Sequence, residues 1–545
     1  MSTILSIDQL SVRLPADADR SHALKGVSLE LRCNEILCVV GESGSGKSMT
    51  ASAILGLLPE RVRAESGSIN FGGRNLLDLS DSELRQIRGA QIGMIFQEPM
   101  TALNPLRSIG DQIGEMFRTH TKLGQKEIAA RVQSLLTDVQ IPDPQAAARA
   151  YPHELSGGQR QRAMIAMALA LEPAILIADE PTTALDVTTQ AQILKLIREL
   201  QRRKGTAVLF ITHDFGVVAE IADRVAVMQH GELVEQGVAD ELLNRPQHPY
   251  TRALIAAVPS LTPPAVRHVS DETILSLHGV NKIYRKGVLF SRHKRVTHAV
   301  RDVSLALPKG GTLGIVGESG SGKSTLARCI VRLLDPDSGH IAFEGVDLAT
   351  LSRKALRQHA KHVQMVFQDP YGSLNPRHRV GELVAQGPIV HGTPRHEALA
   401  RARELFLLVG LEPEAMQRYP HEFSGGQRQR ICLARALALE PRVLVADEPV
   451  SALDVSVQAQ VLELLAKLRQ QFGLSLLFIT HDLRVAAQIC DHIAVMKDGV
   501  VVEHGPASRV FAAPEHPYTR ALLAAVPGRH WTPPSVTATP ERIAA

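Results

Sequence analysis

Short, uninterrupted apolar runs recur along the chain, and they recur as a set. Residues 36–40 (ILCVV) and 313–316 (LGIV) hold no polar side chain. Runs of this length, bounded by turn residues, predict strands buried on both faces. The pattern returns at 174–178 (AILIA) and 443–446 (VLVA), each closing on Asp-Glu. It returns again at 209–212 and 477–480 (both LFIT), each followed by His-Asp. Helical stretches separate the runs. Residues 106–150 and 377–418 lack such runs and predict mainly helix, for instance over 381–386 and 397–409, as a separate helical lobe. The alternation predicts an α/β fold with a mostly parallel sheet core, with ligands at the C-terminal ends of its strands.

The whole pattern is written twice. FQEP at 96–99 returns as FQDP at 367–370, 271 positions on, and SGGQRQR at 156–162 returns at 424–430, 268 on. ADEP (178–181), THD (212–214) and HPYTR (248–252) recur at that same spacing of 268. A period of this size marks a tandem duplication of a domain rather than a solenoid. The expected boundaries are a first domain over 1–259, a polar linker over 260–272 with paired prolines, a second domain over 273–528 and a mobile tail over 529–545.

Composition narrows the setting. Charged residues make up 21% and hydrophobic ones 44% of the 545, with a net charge of +4. That balance argues against a nucleic-acid partner. The start of the chain has neither the charged nor the long apolar region of a signal peptide. The most apolar long stretch, 163–178, is broken by Glu172 and Pro173, so no membrane span is expected. Five cysteines, at 33, 38, 329, 432 and 490, are scattered and odd in number, which predicts a reducing compartment with neither disulfides nor a metal cage. A soluble cytoplasmic protein fits these limits.

The chemistry starts at Gly41–Ser48 (GESGSGKS) and its identical copy Gly317–Ser324, 276 positions apart. Each follows a predicted strand and opens a helix, the context of a phosphate-binding loop. Glycines let backbone N–H groups converge on phosphate oxygens, the helix N-terminus adds positive potential, and the lysine adds a mobile charge. The chain therefore binds nucleoside triphosphate twice. Asp179-Glu180 and Asp447-Glu448 close predicted strands; one carboxylate can hold Mg²⁺ through its water shell and the next can orient or deprotonate a water. A solvated strand end is the plainer alternative. Gln97 and Gln368 suit a contact to Mg²⁺ or water, and His213 and His481 suit the terminal phosphate, or else a structural hydrogen bond. Ser156 and Ser424, each followed by two glycines at a helix start, form a second anion site per half.

Phosphate loop, Gln, Ser-Gly-Gly-Gln, Asp-Glu, Ala-Leu-Asp (184–186 and 452–454) and His, in that order, resemble an ABC ATPase over almost the whole chain. The resemblance implies two ABC-type P-loop ATPase domains, each with a helical subdomain, forming a head-to-tail sandwich around two ATP molecules. Gly41, Ser43, Gly44, Ser45, Gly46, Lys47, Ser48 and Met49 would hold one set of phosphates. Gly317, Ser319, Gly320, Ser321, Gly322, Lys323, Ser324 and Thr325 would hold the other. Ser48, Gln97 and Asp179, and in the second half Ser324, Gln368 and Asp447, would serve Mg²⁺, some through water. Ser424, Gly425, Gly426 and Gln427 would close the Lys47 site, and Ser156, Gly157, Gly158 and Gln159 the Lys323 site. Glu180 and Glu448 would be general bases, assisted by His213, His481, Gln97 and Gln368, with both sites hydrolytic. In such proteins adenine stacks on an aromatic residue upstream of the phosphate loop. Tyr284 fits; its counterpart by position is Leu14, and the first Phe, Tyr or Trp in the chain is Phe71. The first site is therefore expected to bind ATP more weakly.

Each half ends in HPYTRAL followed by AAVP, over 248–259 and 516–527, which predicts an amphipathic helix begun by proline and packed on its own domain. These ends, and QEPMTALNP (97–105) with QDPYGSLNP (368–376), are similar to the ATPases of peptide and nickel importers. The fused pair is most similar to ATP-binding subunits of dipeptide, oligopeptide, glutathione or microcin C-type peptide importers. That implies a peripheral protein on the cytoplasmic face of the bacterial inner membrane, working with two integral-membrane permease subunits and a substrate-binding protein, one chain supplying both ATPase domains. Some relatives hold an iron–sulfur cluster near this segment; no cysteines cluster here, so none is expected. The alternatives are an importer ATPase for nickel or another small solute, an exporter ATPase, and a soluble ribosome-associated twin-ABC factor, which usually has a long charged linker.

Overall fold

A computed structural model of the chain describes residues 2–182, 185–265, 267, 269–286, 295–451 and 453–534. Ala184 and Ala452 of the Ala-Leu-Asp motifs, Val266 and His268 of the linker, and residues 535–545 of the tail lie outside them. The chain divides into two compact units, one drawn from residues up to Leu185, Thr189–Val258 and the residues from Pro527 on, the other from Asp186–Thr188 and Pro259–Val526.

Each unit carries a six-stranded sheet. In the first its order is Glu232–Val238, Arg224–Gln229, Ile36–Val40, Ala207–Ile211, Ile175–Asp179 and Ile92–Ile95. The last five run parallel, and only Glu232–Val238 is antiparallel to its neighbour. Ile36–Val40, Ile175–Asp179 and Ala207–Ile211 are buried at every residue, which is why their sequences are continuous rather than alternating. The second unit repeats the arrangement with Val363–Val366, Val443–Asp447, Ser475–Thr480, Thr312–Val316, His492–Lys497 and Val500–Pro506.

Beside the mostly parallel sheet each unit holds a second, four-stranded antiparallel sheet that the apolar runs do not reveal. It consists of His22–Arg32, Thr3–Arg13, Arg63–Phe71 and Arg74–Asn75 in the first unit. In the second it is Arg295–Pro308, Thr273–Lys286, Ser338–Phe343 and Val346–Asp347. Leu5, Ile7, Leu10 and Val12 of this sheet share one core with Leu37, Val39, Ile177 and Leu209 of the parallel sheet.

The expected helical lobes are present. Ile109–His120 buries Ile109, Ile113 and Phe117, and Gln125–Asp138 buries Ile128, Val132 and Leu136. Both sets are spaced by four, so each helix presents one apolar stripe. Val380–Val390 and Arg395–Leu408 are their counterparts. Among the described residues no helix is long and apolar enough to cross a membrane.

Candidate functional site

Four neighbouring parallel strands bring the chemistry together at their C-terminal ends. Val39 pairs with Ile211, Ile211 with Asp179, and Ala178 with Ile95. The residues that follow are Gly41, His213, Glu180 and Gln97, so the sheet register alone lines up loop, histidine, carboxylates and glutamine. The second unit does the same through Val316, Thr480, Asp447 and Val366.

The loop between Ile36–Val40 and the helix Lys47–Ile54 turns through glycines at positive φ: Gly41 at 152°, Gly44 at 77° and Gly46 at 107°. A Cβ on Gly41 would lie 2.2 Å from the Met228 carbonyl oxygen, so the loop could not adopt this path with a side chain there. Lys47 is buried and donates to the carbonyls of Gly41 (2.8 Å) and Glu42 (2.9 Å). Lys323 repeats this with Gly317 and Glu318, both at 2.7 Å. Burial holds the Lys323 ammonium below the usual lysine range, against the opposing pull of Glu448 and Asp447. The buried hydroxyl of Ser45 has no hydrogen-bond partner. A buried cation folded back on its own loop and an unsatisfied hydroxyl fit an anionic ligand.

Ser48 Oγ donates to Asp179 Oδ1 at 3.0 Å, and Ser324 Oγ to Asp447 Oδ1 at 3.0 Å. Burial pushes the Asp179 and Asp447 carboxyls up; the serine bonds pull them down, and the adjacent Glu180 or Glu448 adds to the rise. Two neighbouring carboxyls with a hydroxyl, all hard oxygen donors, fit Mg²⁺ brought with a nucleotide. Groups of three or more His, Cys, Asp or Glu able to hold a metal do not occur among the described residues, so Mg²⁺ would depend on phosphate and water for its remaining ligands.

Glu180 and Glu448 sit at positive φ, 45° and 47°. Each carboxylate is held from two sides. Gln97 Nε2 donates to Glu180 Oε2 at 3.0 Å, and His213 Nδ1 lies 3.2 Å from Glu180 Oε1. Gln368 Nε2 donates to Glu448 Oε2 at 2.9 Å, and His481 Nδ1 lies 3.1 Å from the same oxygen. Burial raises the Glu448 carboxyl, but His481, Lys323 and Gln368 together outweigh it and hold it below the usual range. His481 moves the other way: burial lowers it, and Glu448 and Asp482 more than restore it. Each group thus favours the charged form of the other, and the lowered carboxyl suits the ionised state that a general base needs.

Over the second phosphate loop lies an open cavity of about 320 Å³, lined in part by His298, Arg301, Ser319, Gly320, Lys323, Thr325, Gln368 and Glu448. Ser156 and Ser424 cap the helices Gly157–Ala168 and Gly425–Leu437. Each hydroxyl accepts from the N–H three residues on, Gln159 or Gln427, whose side chain accepts from the serine N–H in return. Ser156, Gly158 and Gln159 line a separate depression with Arg162 and Gln192. In the first unit, then, the Ser-Gly-Gly-Gln start lines a depression apart from the lysine–carboxylate cluster.

Register also identifies the counterpart of Tyr284. Val280 pairs with Val303 and Tyr284 with Thr297, as Leu10 pairs with Val27 and Leu14 bonds Ser21. Tyr284 is 39% exposed, whereas Leu14 packs against the first unit's core. Sequence reasoning missed Arg20, whose Nη2 donates to the Gly44 carbonyl at 2.5 Å. It also missed Tyr250 and Tyr518, which reach Glu42 and Glu318 of the phosphate loops; the recurrence of HPYTR was the available signal.

Two family descriptions match the chain, each twice. "ABC transporter" covers residues 24–183 and 300–451, and "Oligopeptide/dipeptide transporter, C-terminal region" covers 234–279 and 502–538. The chain is 47% identical over 557 residues to the glutathione import ATP-binding protein GsiA of Escherichia coli O157:H7, spanning 96% of this chain and 89% of that one. It is 47% identical over 558 residues, with the same coverage, to the protein of that name from Salmonella typhimurium. Among solved structures it is similar to the ATP-binding cassette MJ0796 bound to ADP and Pi, at 30% identity, over 43% of this chain and 98% of that chain, with a TM-score of 0.39. The ABC transporter description matched in both halves, together with 47% identity to the glutathione import ATP-binding proteins over 96% of the chain, makes the chain a member of the ABC transporter family: an ATP-binding, ATP-hydrolysing subunit that carries its cassette twice.

Proposed function

We propose that this chain powers an importer for small peptides, of the dipeptide, oligopeptide or glutathione class. The observation that carries this reading is the C-terminal region of oligopeptide and dipeptide transporters, present after each cassette. The end-to-end likeness to glutathione import ATP-binding proteins supports it. In this reading the domains are 1–259 and 273–528, joined by 260–272 and followed by a tail. The chain lies on the cytoplasmic face of the bacterial inner membrane against two permease subunits, and a substrate-binding protein delivers the peptide to the assembly.

Lys47 and Lys323 exchange their loop carbonyls for phosphate oxygens when ATP binds. Ser48, Asp179 and Gln97, or Ser324, Asp447 and Gln368, would hold Mg²⁺, which would supply charge neutralisation at the phosphates. Glu180 and Glu448 accept the proton of the attacking water, while His213 and His481 fix the carboxylate and face the terminal phosphate. Both sites turn over.

Uptake decides the matter. A strain lacking this chain is given it back as the wild type or as the Glu180→Gln/Glu448→Gln double variant, and labelled glutathione and labelled dipeptides are followed. Uptake restored by the wild type and not by the variant supports the proposal. Wild-type chain that restores uptake of neither peptide class, at normal levels of the protein, overturns it.

A further inference from the structure

The repeated His-Pro-Tyr segment has no role in the chemistry described so far, yet its geometry leads directly to the phosphate loop. In the first unit the Glu235 carboxylate accepts from the N–H groups of Gln247 (2.7 Å) and His248 (3.1 Å). His248 Nδ1 then accepts from the Tyr250 N–H at 3.3 Å, and Pro249 occupies the first helical position, where no N–H is needed. The second unit repeats every part: Glu503 accepts from Glu515 (2.8 Å) and His516 (3.0 Å), and His516 Nδ1 accepts from Tyr518 at 3.1 Å. The turn aims a buried tyrosine at the second residue of the loop, 208 and 200 residues earlier in the chain. The Glu42 N–H donates to Tyr250 Oη at 3.2 Å, and Tyr250 Oη donates to Glu42 Oε2 at 3.3 Å. The Glu318 N–H donates to Tyr518 Oη at 3.2 Å.

That second residue is the node of the loop. Its carbonyl accepts from the lysine ammonium, at 2.9 Å for Glu42 and 2.7 Å for Glu318. The same carbonyl accepts from the N–H of Ser45 (3.1 Å) or Ser321 (3.2 Å). The tyrosine bonds its N–H from the other side. The segment buries Thr251, Leu254 and Ile255, or Thr519, Leu522 and Leu523, together with the aromatic ring; a phenylalanine ring fills the same space without the hydroxyl. The hydroxyl is what reaches the loop.

We propose that Tyr250 and Tyr518 are positioning residues for ATP, each tying its C-terminal segment to the second residue of a phosphate loop and holding that loop in its nucleotide-binding form. The inference rests on reading Gly41–Ser48 and Gly317–Ser324 as the loops that take the phosphates. The C-terminal region thereby belongs to the nucleotide site as well as to the transporter class it marks.

The test uses the full-length chain with one site silenced. Tyr250→Phe is made with Lys323→Ala, and Tyr518→Phe with Lys47→Ala; ATP affinity is measured by titration calorimetry, and amide exchange is followed in peptides covering 41–48 or 317–324. Loss of the hydroxyl is expected to weaken ATP binding about 3- to 20-fold, the range for losing one or two such bonds. Exchange should rise in the loop peptide and not in Pro249–Ala256 or Pro517–Ala524. Affinity within twofold of the parent in both chains overturns the proposal, as does faster exchange confined to the C-terminal helices. Should the phenylalanine chains not fold, Glu42→Gln weakens the bond from the Tyr250 hydroxyl to the loop carboxylate and is read by the same criteria at the first site. The chain carrying both Lys47→Ala and Lys323→Ala tests the underlying reading separately: retained ATP binding there refutes the loops, whatever the tyrosines do.

Discussion

Glu180 and Glu448 show how much a single position carries. Each adopts a left-handed backbone that is costly for a residue with a side chain, and each points its carboxylate between a glutamine and a histidine. In the proposed role of general base, a carboxylate held in this way would need no reorganisation when water and nucleotide arrive. Replacing the carboxylate by its amide keeps shape and hydrogen bonding and removes the basicity. Glu180→Gln with Glu448→Gln is expected to lower the ATPase kcat by about 10²- to 10⁴-fold, while ATP affinity stays within a few-fold. Phosphate release and nucleotide titration on the same preparation check both halves of that statement. The residue types and their order were legible in the sequence. The backbone strain and the double clamp were not, because both depend on where neighbouring strands end.

At the scale of the element, the turn before each C-terminal helix is governed by one carboxylate. Glu503 is buried and accepts two backbone N–H bonds. Burial raises its carboxyl, but the N–H bonds from Glu515 and His516, with the neighbouring Thr519 and His516 side chains, together bring it below the usual range. A depressed carboxyl contributes stability that is present above its unfolded value, about 4.3, and is lost as pH falls through the folded value. Glu503→Gln is therefore expected to lower Tm at pH 7, by about 1.5–3 kcal/mol in stability for bonds to a charged acceptor. The gap between variant and wild type should narrow as pH falls below 4. Thermal melts from pH 7 to pH 3 measure it, and a gap independent of pH contradicts the assignment.

Elements also explain a missed sheet. The parallel strands were readable because burial on both faces leaves continuous apolar runs. Thr3–Arg13 is buried on one face only, and its alternation is broken: Ile7 and Leu10, three apart, are both buried across an irregularity at Gln9, whose φ is 48°. A bulge of this kind shifts the two-residue period and hides the strand from pattern reading.

For the molecule as a whole, duplication supplies two cassettes that are alike in their lysine, carboxylate, glutamine and histidine residues and unlike at the position proposed to meet the base of the nucleotide. Tyr284 stands exposed where Leu14 packs inward. Lost stacking is worth about 1–3 kcal/mol by analogy with base–aromatic contacts. The wild-type chain is expected to bind two ATP. Lys47→Ala, which reports the second site, should bind one ATP more tightly than Lys323→Ala, which reports the first. Equal affinities would overturn the expectation that the first site binds ATP more weakly.

The sequence by itself determined the tandem repeat, the phosphate loops, the parallel core strands and the helical lobes. Each of these is local: glycine spacing sets the path of the loop, and burial on both faces sets the composition of the strand. Only the tertiary structure decided that the antiparallel sheet shares their core, that Gln97 and His213 meet on Glu180, and that Tyr250 reaches Glu42. Those contacts join residues far apart in the chain, and their geometry follows from strand register and packing, which no short stretch of sequence encodes.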